Sequence, residues 1–108
     1  MEESTKHKNI KVEVEQLLKT IPRVENMTSP RGNTIANQFI IWGSNYSLFQ
    51  SYNSPIAMRK EGKVYLFKNW DYSVTTGKYR NLFLRETKQE TLVNLKSGGY
   101  VAVDFEVV

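Results

Sequence analysis

A chain of 108 residues gives one domain, which at this size buries roughly two thirds of the surface that its unfolded form exposes. With 40% hydrophobic and 24% charged residues it is an ordinary globular composition, which excludes disordered and collagen-like classes. The net charge of +4 argues against a protein that imitates DNA, and the absence of cysteine excludes disulfides, thiolate nucleophiles and zinc–thiolate sites.

The first nine residues read as a flexible polar lead segment that carries the single histidine, His7, as a solvated side chain and neither a metal ligand nor a catalyst. Apolar residues Ile10, Val14, Leu17, Leu18 and Ile21 then fall on one face of a helix over 10–21, which Pro22 ends. Its polar face carries Lys11, Glu13, Glu15, Gln16 and Lys19, so the helix is expected to lie on a sheet. The stretch Asn26 to Asn33, with Pro30 and Gly32, reads as an exposed loop in which Arg31 could reach a phosphate or carboxylate.

Two hairpins are expected over 35–67. Ile35 to Trp42 and Tyr46 to Tyr52 flank a Gly43–Asn45 turn, and Ile56 to Arg59 and Lys63 to Phe67 flank Glu61-Gly62, after a turn at Asn53-Ser54-Pro55. In the second strand Tyr46, Leu48, Gln50 and Tyr52 share one face and Ser47, Phe49 and Ser51 the other, so neither face is wholly apolar. Two helices follow over 75–97. The first, capped by Thr75 or Thr76, turns Tyr79, Leu82 and Phe83 inward and Lys78, Asn81 and Arg85 outward; the second opens with a Thr87–Glu90 capping box, contributes Leu92 and Leu95 to the core, and ends at Ser97-Gly98-Gly99. A strand over 100–107 is expected to bury Val101, Val103, Phe105 and Val107 and to join the sheet edge. The sum is a single α+β domain, residues 1–108: a four- to five-stranded antiparallel sheet with an N-terminal helix and two short C-terminal helices before a last strand.

Apolar runs such as Phe39–Trp42 reach four residues, far short of the roughly 20 that cross a bilayer, and the charged N-terminus has no signal-peptide core. A cytoplasmic protein with no membrane partner is expected. The positive charge belongs to the centre: residues 56–88 hold eight Lys or Arg against three Asp or Glu, a net of +5, and the rest holds seven against eight, a net of −1. Such a region attracts polyanions, nucleic acid or an acidic protein face, although a solvated basic surface has the same composition.

No catalytic constellation, metal site or cofactor site emerges, so no enzyme is expected. Asp71 is the single acid in the junction between the hairpins and the helices, and it is expected to accept hydrogen bonds from turn amides or to pair with Arg80 or Lys78. Gly77-Lys78 ends like a phosphate-binding loop, but the glycine that such a loop needs earlier is absent. Binding is better served. Tyr65, Trp70, Tyr72 and Tyr79 interleave with Lys63, Lys68, Lys78 and Arg80, and with Arg31 and Arg85 these supply the candidate binding residues. The mixture suits a surface that stacks bases and neutralises phosphates on a single strand; it equally suits a small core, or a protein interface.

The set Thr28-Ser29-Pro30-Arg31-Gly32-Asn33, Ala36-Asn37-Gln38-Phe39-Ile40-Ile41, Phe49-Gln50-Ser51-Tyr52 with Ile56-Ala57, and Trp70 to Leu84 resembles a family of small uncharacterised proteins encoded by phages, plasmids and other mobile elements of Gram-positive bacteria. The resemblance covers most of the chain beyond the first helix, with Leu82 standing where a polar residue, often Gln, is expected. It implies an inhibitor of a bacterial defence nuclease, in its sharpest form an anti-CRISPR protein that engages a type II effector nuclease or its guide RNA. The alternative it implies is an accessory protein that binds single-stranded nucleic acid in the element's replication or recombination. A monomer or a homodimer, through exposed β edges, fits either reading.

Overall fold

Where β-branched and aromatic residues are densest, the chain folds into five consecutive strands, with one helix before them and two after, and a last short strand completes a six-stranded sheet. The computed structural model describes the backbone of residues 2–105 and the side chains of residues 9–105, which leaves the expectations for His7 and Val107 outside it. The elements run α1 (Glu2–Thr20), β1 (Arg23–Thr28), β2 (Thr34–Trp42), β3 (Tyr46–Ser51), β4 (Ser54–Lys60), β5 (Lys63–Leu66), α2 (Val74–Leu84), α3 (Lys88–Lys96) and β6 (Tyr100–Ala102). The sheet order is β1-β2-β3-β4-β5-β6, an antiparallel meander through β5 with β6 added in parallel. The domain is α+β with a mixed sheet.

The meander needs short turns, and the sequence supplies them. Glu61 and Gly62 both have positive φ, 51° and 77°, the geometry of the two-residue hairpin turn whose twist matches the strands. Between β3 and β4 the turn is Tyr52-Asn53, and Ser54 and Pro55 belong to β4, one register step from the expected turn. The bulge there, between Phe49 and Gln50 on β3 and Ala57 and Pro55 on β4, lets consecutive residues Ile56 and Ala57 both be buried.

Helices α2 and α3 cover one face of the sheet. Its core is Met27, Phe49, Ile56, Ala57 and Leu66 from the strands and Tyr79, Phe83 and Leu84 from α2, with the Phe49 and Phe83 rings 6.0 Å apart. Ser73, ahead of either expected threonine, caps α2: its Oγ accepts the Thr76 N–H at 3.1 Å. Thr76, Tyr79, Arg80, Phe83 and Leu84 are buried, so Tyr79 and Phe83 face inward as expected, whereas Leu82 is 41% exposed and Arg80 takes an inward position. The capping box of α3 forms as its sequence dictates, with Thr87 and Glu90 each bonding the other's backbone N–H. Leu95 packs against the core.

Besides the turn, the cap and Leu82, the sheet has six strands in place of the expected four or five and is mixed, because β1 and a parallel β6 are added, and three further expectations change. Residues Asn26–Thr28 belong to strand β1, so the exposed connector shrinks to 29–33; the edge strand is largely exposed and polar, which hides its signal. The last strand is short and of opposite phase: pairing Val64 with Tyr100 turns Tyr100 toward the helices and leaves Val101 40% exposed, and Phe105, beyond the strand, is 66% exposed. Finally, α1 does not lie on the sheet. Its backbone is helical from Glu2, through the segment expected to be a flexible lead, and Ile10, Val14, Leu17, Leu18 and Ile21 are all exposed. The radius of gyration is 18.1 Å, against about 13 Å for a compact chain near this length. Among the described residues no helix is long and apolar enough to cross a membrane.

Candidate functional site

The segment 67–76 leaves the end of β5, turns twice and enters α2, and it does so against the tip of the β3–β4 hairpin. A hydrogen bond between the buried hydroxyls of Ser51 and Thr76, 3.2 Å, and a longer one from the Asn69 amide to Ser54 Oγ, 3.4 Å, join the two. Between them lies a pocket of about 400 Å³ lined by Ser51, Tyr52, Asn53, Ser54, Ile56, Asn69, Tyr72 and Thr76. Its chemistry is hydroxyl and amide groups over an Ile56 floor, with two exposed phenols, Tyr52 and Tyr72, 59% and 76% accessible. Asn53, Ser54 and Asn69 also line a smaller neighbouring cleft that reaches Lys68 and Phe105.

Tyr52 is held there under backbone strain. Its φ of 53° is left-handed, which costs a non-glycine residue about 1–2 kcal/mol. Two bonds hold the conformation: the Tyr52 N–H donates to the Asn37 carbonyl at 2.7 Å, and the Gln50 side-chain amide donates to the Tyr52 carbonyl at 2.8 Å. The position is the first residue of the two-residue β3–β4 turn, where tight hairpin geometry calls for a positive φ, and it leaves the phenol exposed at the rim of the pocket.

On the other side of residues 71–77 lies an open basic groove of about 620 Å³, lined by Asp71, Ser73, Val74, Gly77, Lys78, Arg80, Asn81 and Lys88. Arg80, 1% exposed, organises it. Its Nη1 donates to the Trp70 carbonyl at 2.7 Å and to Asp71 Oδ1 at 3.3 Å, its Nη2 to Asn81 Oδ1 at 3.1 Å, and its guanidinium lies 5.1 Å from the centre of the Trp70 ring. Lys88 Nζ holds the other Asp71 oxygen at 2.8 Å. The Lys88 bond, ahead of the Arg80 pairing, moves the Asp71 carboxyl below its ordinary range against a smaller opposing effect of burial. Asp71 thus serves as a positioning acceptor between two cations, as expected for Arg80, with Lys88 in the place foreseen for Lys78.

The expected binding residues therefore separate. Tyr72, Lys68 and Lys78 are exposed around the pocket and the groove, and Lys78 Nζ sits 5.5 Å from the centre of the Tyr79 ring. Trp70 is half-buried against the core; Tyr79, on the face expected to turn inward, and Arg80 are buried where α2 packs on the sheet. Arg85 is exposed as the left-handed C-cap of α2, and Arg31 is exposed in the β1–β2 turn. Lys63 belongs to a third cleft, at the opposite hairpin ends, with Trp42, Tyr46, Arg59 and Lys60. Tyr52, Ser51, Asn69, Thr76 and Lys88 were not among the expected residues. The mixed-polarity strand ending at Tyr52 carried a signal for the first two. Among the described residues no group of three or more His, Asp or Glu could hold a metal ion.

The profile of one protein family, described as a family of unknown function (DUF8033), matches residues 23–97, from the start of β1 to the end of α3. No curated protein and no solved structure matches the chain.

Proposed function

Starting from a chain that belongs to the DUF8033 family of unknown function, we propose that this is a binding protein of a mobile genetic element that engages nucleic acid held by a bacterial defence nuclease. The sharper form of the proposal is an anti-CRISPR protein that inhibits a type II effector by contacting its guide RNA or the effector surface beside it. The observation that carries the reading is the pocket itself. Two exposed tyrosines flank hydroxyl and amide groups able to bond a base edge, and Lys68, Lys78 and Lys88 lie on its two sides to meet phosphates. Stacking on an exposed aromatic is worth about 1–3 kcal/mol per base, and cations beside it supply the sequence-independent attraction.

The second reading, an accessory protein that binds single-stranded nucleic acid during replication or recombination, is favoured by the same exposed phenols, since a bare strand can offer its bases to them. Binding of the purified protein to a labelled single strand, a duplex and a guide-loaded type II effector, at low and high salt, separates the two. Inhibition with binding only to the loaded effector supports the first reading. Tight, salt-sensitive binding to the bare strand without inhibition supports the second, and no binding to any of the three defeats both.

A further inference from the structure

The helices cover one face of the sheet; the other face carries an unbroken apolar row. The strand registers place Val24 beside Ile41, Ile41 beside Leu48, Leu48 beside Met58, Met58 beside Tyr65 and Tyr65 beside Val101, so one apolar residue from each of six strands lines up across the sheet. Alternation puts this row opposite the buried Phe49, Ala57 and Leu66. Val24 and Val101, at its two ends, are 57% and 40% exposed. The chain also holds a second uncovered apolar surface, the α1 stripe of Ile10, Val14, Leu17, Leu18 and Ile21, each between 45% and 62% exposed.

We infer that α1 of one copy docks on the open sheet face of a second copy, in a reciprocal two-fold dimer. α1 stands off its own sheet, with every residue of the stripe exposed, and only Ile21 and Pro22 join it to β1, the latter with a ring-fixed φ, so a second copy offers the uncovered sheet face that the helix does not reach on its own chain. The area also suffices. Each stripe residue contributes on the order of 100 Å², so two stripes against two sheet faces bury on the order of 2,000 Å², within reach of a standard stable interface. Closure by a two-fold axis uses every such surface and leaves none to propagate.

The test is the molar mass in solution of the whole chain, by light scattering over a range of concentrations, for the wild type, Leu17→Glu and Met58→Glu. The wild type should have twice the chain mass, and each variant the mass of one chain. Leu17 is 57% exposed, so its charge acts on association and leaves the folded domain unaltered, which circular dichroism checks. A monomeric wild type at every concentration, or a dimer that survives Leu17→Glu or Met58→Glu, would overturn the inference.

Discussion

The guanidinium of Arg80 lies 5.1 Å from the centre of the Trp70 ring while its Nη1 holds the Trp70 carbonyl at 2.7 Å, so one buried cation fixes both the ring and the backbone of the turn that enters α2. Through Asp71 the same residue reaches Lys88 at the start of α3. The strongest cation in the distinctive junction is thus a framework residue, and the surfaces offered to a partner lie on either side of it.

Arg80→Ala should accordingly destabilise the fold by about 3 kcal/mol, the low end for breaking a buried pair because Asp71 is partly exposed. Arg80→Lys should recover only part of this, since an ammonium cannot bond Trp70, Asp71 and Asn81 together. Denaturant midpoints measure both. A variant as stable as the wild type would show that Arg80 is not the organiser.

The pH dependence has two arms. Asp71 titrates lower in the folded state than in the unfolded chain, so its contribution is present above the unfolded value of 3.8 and is lost as pH falls below it. Asp71→Asn should flatten that acid limb. Tyr100 behaves in the opposite sense: burial first, and then its hydrogen bond to Glu86, raise its hydroxyl from 10.0 to about 12, so wild-type stability declines as pH rises from 10 toward 12. Tyr100→Phe should remove that decline. Urea midpoints across the two ranges decide each case.

Tyr52 should show opposed effects on stability and binding. Tyr52→Gly relieves the left-handed backbone and removes a mostly exposed ring, so the fold should gain about 0.5–1 kcal/mol while nucleic-acid affinity falls roughly tenfold or more. Tyr72→Ala should lose affinity to a similar extent with unchanged stability, its side chain being 76% exposed. Retained affinity in both variants would remove the pocket from consideration.

Gln38 offers a separate check on the core. It is 1% exposed on the helix-covered face beside Ser51, and neither atom of its amide has a hydrogen-bond partner. Gln38→Met keeps the volume and removes the unmet polar group, for an expected gain of about 1–2 kcal/mol in thermal or chemical denaturation. A loss of stability would mean that the amide is satisfied in solution.

Local chemistry was legible wherever it depends on near neighbours in the chain. The helical spacing of Ile10 to Ile21, the Glu61-Gly62 turn, the Thr87–Glu90 box and the hairpins all follow from residues within a few positions of one another. The α+β class followed from their order. What the sequence could not order was the choice among chemically equivalent partners. Interleaved cations and aromatics fit a core and a binding surface alike, and the packing of α2 on the sheet took Tyr79 and Arg80 inside and left Lys78 outside, with Tyr72 exposed in the turn ahead of the helix. Whether β6 presents Tyr100 or Val101 to the core was decided by its parallel register against β5, a contact between segments some 36 positions apart (Val64 with Tyr100). An amphipathic pattern likewise states that α1 needs an apolar neighbour without naming it. Patterns of burial are written locally because side-chain direction repeats with the backbone, whereas which surface covers which is fixed only when distant segments compete for the same face.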